Sequence, residues 1–172
     1  MVPLGLVGLA TVVAGCGHAA GAAGGTTPST LTLSSSVAAP GAALPERYTC
    51  SGDNVAPPLS WSGPAAAGWA LTLVDADAHG TVLWVATGIP AKEHATVAGQ
   101  LPAGAVEGQR SDGGTGYYGP CPPQGSVRHY VFTVYGLTRP LTLSASVPAA
   151  EALRQITADS SETATLRVQF AR

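Results

Sequence analysis

The sequence predicts a mainly β protein, built as two packed antiparallel sheets with one or two short helices. Three observations carry this. Several short segments alternate apolar and polar residues, as half-buried strands do. Glycine and proline together account for 36 of 172 residues (22 Gly, 14 Pro), a level that suits a loop-rich β protein better than a helical one. No stretch repeats the strand–helix alternation of a parallel sheet. Leu31 to Ser35 reads as the first strand, and Gly41 to Pro58 is broken by prolines into loop. Trp69 to Asp75 is a strong strand, and Thr81 to Thr87 is the next, with Gly88 and Pro90 as its stop. Pro102 to Gly125 is a long Gly/Pro-rich loop region. His129 to Tyr135 is the clearest strand, since β-branched and aromatic residues alternate through it. Ser146 is a candidate cap for a short helix, with Pro148 in its first turn and Ala149, Leu153 and Ile156 along one face. Thr163 to Phe170 closes the fold as a last strand.

The length matches one domain, and there is neither a repeat period nor a second domain. Charged residues are only 10% and the net charge is −2. The seven arginines and one lysine are scattered singly from Arg47 onward. Nucleic-acid binding needs a clustered basic surface, so this composition argues against it. Hydrophobic content is 45%, but 30 residues are alanine, so large core side chains are few.

Val2 to Ala14 is uncharged and apolar or small. It is too short to span a bilayer as a helix and suits the apolar segment of a secretory signal peptide, residues 1–15. It ends in Val13-Ala14-Gly15-Cys16, which resembles the lipobox of bacterial lipoproteins, where the cysteine is acylated and becomes the new N-terminus. No basic residue precedes Arg47, so the usual basic leader is missing. The alternative is a short buried segment with an incidental cysteine. The Gly/Ala/Ser/Thr-rich stretch from Gly17 to Thr30 favours export, because it reads as a tether reaching roughly 20 Å. The expected organisation is therefore signal peptide 1–15, lipidated Cys16 with tether 16–30, and a folded domain 31–172.

Several chemistries fall away on context. Gly114 to Gly119 matches G-x-G-x-x-G, but Pro120, Pro122 and Pro123 forbid the helix that would hold a pyrophosphate. There is no Walker A motif and no G-x-S-x-G elbow. Three distant cysteines and histidines without helical ligand spacing give no metal site, and no cofactor is expected. Asp75 and Asp77 would share a face if the strand ran through both. An Asp-x-Asp at a strand end more often ties down the following turn through local hydrogen bonds.

Three loops remain: Tyr48 to Trp61, Val74 to Ala78, and Gly116 to Gly125 leading into Arg128 to Tyr135. They resemble the phosphatidylethanolamine-binding protein family, in its bacterial Raf-kinase-inhibitor-like branch. The matching stretches are Gly52 through Trp61 (ending P-P-L-S-W), Asp75 to Ala78, Trp84 with Ile89-Pro90, and Gly119 to Pro123 (G-P-C-P-P) with Tyr130. The likeness runs from about Leu31 to Phe170. It implies a β-sandwich with a small anion pocket at one end and no catalysis. The implied ligand-binding residues are Asp75, Asp77, Gly119, Pro120 and Tyr130, with His79 and Arg128 beside them. It also places Cys50 and Cys121 on loops near the pocket. In an exported chain, with Cys16 lipidated, these two are left to form a disulfide.

This chain departs from the family pattern at the pocket. Leu83 stands where a histidine precedes the tryptophan, Arg128 stands where a histidine opens the triplet ending in Tyr130, and His79 replaces a proline. Arg128 shares the face of Tyr130 by strand alternation, while His129 does not. Arg128 is either a permanent donor for phosphate or half of a surface ion pair. His79 is either a pocket residue or an exposed turn residue. Two functions remain: a lipid-anchored, extracytoplasmic binding protein for a small anionic head group, and a protein-interaction module, such as a protease or kinase inhibitor, with a vestigial pocket. A hydrolase using Asp75 with His79 stands behind both.

Overall fold

A computed structural model describes Met1 and residues 30–172. Residues 2–29, with Cys16 and most of the expected signal segment and tether, lie outside the described residues. No helix among the described residues is long and apolar enough to cross a membrane.

The expected sandwich is present. A two-stranded antiparallel sheet pairs β1 (Thr32–Ser34) with β2 (Ser60–Ser62). A five-stranded antiparallel sheet has the order β5-β4-β3-β6-β7. Its strands are β3 (Gly68–Asp75), β4 (Thr81–Pro90), β5 (Val106–Glu107), β6 (Val127–Leu137) and β7 (Ser160–Ala171). Helix α1 (Ala149–Ala158) connects β6 to β7. A single 3-10 turn at Glu46–Tyr48 interrupts the first long loop.

Each face of the large sheet buries a different layer. The inner face sets Leu71, Leu73, Trp84, Phe132 and Leu166 against Leu33 and Trp61 of the small sheet. Trp61 and Trp69 meet edge to face there, with ring centroids 6.0 Å apart, a favoured geometry for aromatic quadrupoles. The outer face sets Ala70, Val82, Val85 and Leu137 against Ala149, Ala152 and Ile156 of α1. β3 is the central strand and is covered on both faces. That is why Gly68 to Val74 reads as a nearly continuous apolar run instead of a clean alternation.

Three local expectations need correction. β4 does not stop at Thr87 but runs to Pro90, because Gly88 is the extra residue of a bulge. The register passes from Trp69↔Ile89 to Leu71↔Ala86, and Gly88 takes φ +72, a left-handed value natural for glycine. Ser146 does not cap α1. Its hydroxyl meets that of Ser144 at 2.9 Å, and Pro148 is the N-cap residue, with no side-chain capping bond. Its carbonyl accepts the first helical bond from the Ala152 N–H. The last strand starts three residues early, at Ser160, directly after the helix ends at Ala158.

Candidate functional site

The sequence-predicted site residues sit at the end of the sandwich where β3 stops. Asp75 is the last residue of β3 and pairs in register with Tyr130 of β6. Arg128, two residues before Tyr130 on the same strand, shares its face. Asp75 is buried, and both its carboxylate oxygens are engaged. Oδ1 accepts the Asp77 N–H at 3.0 Å, which is the turn-closing bond expected of Asp-x-Asp. Oδ2 accepts from Arg128 Nη1 at 2.9 Å. The bond to Asp75 raises the Arg128 guanidinium above its already high ordinary value, so its charge is permanent at any physiological pH.

Asp77 lies in the turn rather than on the strand. Its Oδ2 accepts the His129 N–H at 2.7 Å and lies 2.9 Å from His129 Nδ1. These bonds hold the Asp77 carboxyl below its usual range, the backbone N–H contributing most. Ala76 N–H also donates to the His129 carbonyl at 2.9 Å. The turn after β3 is thus clipped to the edge of β6. His79 stands exposed in the same turn at φ +53 and makes none of these bonds.

Tyr130 is fully buried, and its hydroxyl has no hydrogen-bond partner among the described residues. Burial, followed by the negative charge of Asp75, pushes that hydroxyl up to about 12. A buried unpartnered hydroxyl costs free energy, and this one lies beside a fixed cation.

Two loops close over this end. Cys50 and Cys121 are joined by a disulfide, with Cα atoms 5.3 Å apart. Cys50 N–H donates to the Pro120 carbonyl at 3.2 Å, and Gly119 N–H donates to Asn54 Oδ1 at 2.8 Å. The Tyr117 hydroxyl donates to the Tyr48 carbonyl at 2.7 Å. Leu83, standing at the expected histidine position, is the unpaired residue of a second bulge between Leu73↔Trp84 and Val74↔Val82. Its carbonyl accepts from Tyr118 N–H, which fastens the 117–121 loop to β4.

Sequence reasoning missed three contributors. Arg172, the last residue, places Nη1 3.1 Å from Cys121 Sγ. Asn54 takes φ +55 to reach Gly119. Glu107 accepts from Trp84 Nε1 at 2.8 Å. Only Asn54 carried a usable signal, since asparagine in a loop readily adopts left-handed backbone. A cavity of about 520 Å³ is not at the Asp75–Arg128–Tyr130 cluster. It lies next to it, between the loop at Asn54, the 96–101 segment, Glu107 and the 115–117 loop. No group of three His, Cys, Asp or Glu suited to a metal exists among the described residues.

The family model described as phosphatidylethanolamine-binding protein matches residues 34–171. A Mycobacterium tuberculosis protein named "Putative lipoprotein LppC" is 42% identical over 179 residues, covering 89% of this chain and 89% of that protein. The crystal structure of Escherichia coli YbcL, described as a member of the mammalian PEBP family, superposes with a TM-score of 0.78 at 27% identity. It covers 84% of this chain and 99% of YbcL. The Chlamydia trachomatis protein CT736, described as a "Putative PhosphatidylEthanolamine-Binding Protein (PEBP) Homolog", shares the fold with a TM-score of 0.75 at 24% identity, over 83% of this chain and 98% of that one.

Proposed function

The chain belongs to the phosphatidylethanolamine-binding protein family, and from that premise we propose that it is a lipid-anchored, extracytoplasmic binding protein for a small anionic group of the phosphate-ester kind. It holds its ligand and does not convert it. One observation carries the reading: Arg128 is pinned by buried Asp75 directly beside the unpartnered hydroxyl of Tyr130. Asp75 orients the donor and does not touch the ligand. Arg128 commits one N–H to Asp75 and keeps others for a phosphate oxygen, a geometry guanidinium serves well. The Tyr130 hydroxyl supplies a further donor. Because that hydroxyl is shut off from solvent, a ligand that reaches it must displace the covering loop.

Calorimetry with phosphoethanolamine tests this. Binding is expected, with affinity nearly constant between pH 6 and 8, because Arg128 does not titrate there. A site built on a histidine near its pKa of ~6.5 would weaken across the same interval. Arg128→Ala is expected to weaken binding by roughly 10- to 100-fold. Binding that survives this change places the site elsewhere.

The anchor half of the proposal rests on the Val13-Ala14-Gly15-Cys16 sequence and the name of the mycobacterial relative. Two acyl chains on Cys16 suffice for stable anchoring, where one is marginal. Cys16→Ser is expected to shift the protein from the membrane fraction to the soluble one. An intact Met1 on soluble wild-type protein would overturn it.

The interaction-module reading keeps one point in its favour. The charge of Arg128 is already balanced by Asp75, so the site is stable without an anion. A thermal-shift screen separates the two readings, since a ligand that binds the native state must raise the melting temperature.

A further inference from the structure

We propose that the 520 Å³ cavity beside Trp84 is a second binding site, for a small molecule carrying a primary ammonium group on an apolar body, with Glu107 as the counter-ion. Its volume lies in the range of small-molecule sites. None of Asp75, Arg128 and Tyr130 lines it, so it is separate from the anion site.

β5 is only two residues long and pairs with β4 through Ala86↔Glu107, which presents the carboxylate to Trp84. The indole N–H of fully buried Trp84 donates to Oε1 at 2.8 Å and fixes the carboxylate orientation. Oε2 makes no hydrogen bond or ion pair to any described residue. The nearby guanidinium of Arg110 is committed elsewhere, to Asp112 at 3.1 Å and to the Thr115 carbonyl at 3.0 Å. A half-buried carboxylate with a single N–H partner has lone pairs left for a cationic N–H, and a charge-assisted bond of that kind is stronger than one to a neutral donor.

The space in front of Oε2 is kept open by glycine. A Cβ on Gly116 would stand 3.0 Å from Oε2, and φ there is +83, a conformation that disfavours any side chain. The stoichiometry of acceptors selects the cation. With Trp84 already bonded to Oε1, Oε2 is the oxygen without a partner, and a single open oxygen favours a compact ammonium over a two-pronged guanidinium that would share Oε1 with the indole. Gln100 and Thr115 line the cavity, and their side chains bond to no other described residue, so both can accept the remaining N–H groups. Val55, Val97 and Leu101 form the apolar wall, and the Tyr117 ring meets Trp84 edge to face at 5.6 Å. A ligand with an apolar body is required to cover that wall.

Calorimetry on the full chain with three matched probes decides it: 2-phenylethylammonium, neutral 2-phenylethanol and anionic 3-phenylpropionate. The ammonium is expected to bind at least 10-fold more tightly than the alcohol, and the anion not at all. Amide NMR shifts should centre on Gly99, Gly116 and Tyr117. Glu107→Gln keeps an acceptor for the Trp84 indole and removes the charge, so it should cost the ammonium 10-fold or more and leave the alcohol unchanged. Equal binding of ammonium and alcohol by the wild type, no binding at millimolar concentrations, or shifts centred on Arg128 and Tyr130 would each overturn the proposal. The probe comparison needs no variant, so a Glu107→Gln protein that fails to fold does not blunt the test.

Discussion

Reduction of the Cys50–Cys121 disulfide is expected to lower the unfolding free energy by about 4 kcal/mol. The bridge joins residues 71 positions apart. In the chain-entropy account, a loop of that size removes between about 3 kcal/mol (15 residues) and about 4.7 kcal/mol (100 residues) of denatured-state freedom. Against a typical total of about 5–15 kcal/mol, that is a large share. Urea unfolding of the oxidised protein and of the Cys50→Ser/Cys121→Ser double variant measures it, and a difference below about 1 kcal/mol would refute the value. A site effect should accompany the loss. The bridge holds Tyr48–Cys50 against Gly119–Cys121, the cover that a ligand must displace to reach Tyr130, so the double variant, whose cover parts more easily, is expected to bind phosphoethanolamine more tightly. Thiol counting on unfolded, unreduced protein gives an independent check, since neither Cys50 nor Cys121 should react.

The fold was readable from sequence wherever strands are long. β3, β4 and β6 carry β-branched and aromatic residues through seven or more positions, enough for periodicity to register. β2 and β5, with three and two residues, offer too short a window for any period. Their pairing is decided by partners distant in sequence, such as Leu33 for Trp61 and Ala86 for Glu107. Gly88 shows the converse problem. A glycine inside a strand pattern signals either a stop or a bulge, and only the neighbouring strand distinguishes them. Here β3 continues alongside and makes it a bulge. Ser146 failed as a cap because the helix begins later, at Ala149 with Pro148 as its N-cap, and the Ser146 hydroxyl meets that of Ser144 instead.

At the site, the motif resemblance located Asp75, Gly119, Pro120 and Tyr130 at one end of the sandwich, but residue types alone did not describe their electrostatics. Of the two readings of Arg128, the ion pair is the one observed, and its acidic partner is buried Asp75 rather than a surface carboxylate; the phosphate-donor reading belongs to the proposed function. Strand alternation foresaw that Arg128 and Tyr130 share a face. It did not foresee that Asp75 would sit across from Tyr130, because that requires the register of β3 on β6. Glu107 was invisible for the same reason. A lone glutamate in a Gly/Pro-rich loop has no pattern, and its meaning comes entirely from the indole N–H that meets it.

Gly119→Ala is expected to destabilise the protein by about 3 kcal/mol, the upper part of the usual range for overpacking. A methyl carbon there would stand 2.8 Å from Thr49 Cα and closer still to the Tyr48 carbonyl oxygen. Both are backbone atoms, so no side-chain rotation relieves the contact. Nor can the two segments simply part. The disulfide, the Cys50 N–H bond to Pro120 and the Tyr117 bond to Tyr48 all hold them together. The penalty should therefore depend on those ties. In the Cys50→Ser/Cys121→Ser background the loops can separate, and the cost of Gly119→Ala is expected to fall to about 1 kcal/mol. A double-mutant cycle by urea unfolding reads this as a coupling near 2 kcal/mol, within the range for residues in contact. Equal penalties in both backgrounds would show that the loops yield without the bridge being broken. The Tyr130 cover would then be a soft lid held by hydrogen bonds alone. A large coupling means instead that the disulfide sets how close the loop at Gly119 comes to Tyr48, and through that spacing how tightly Tyr130 and its unpartnered hydroxyl are sealed from solvent.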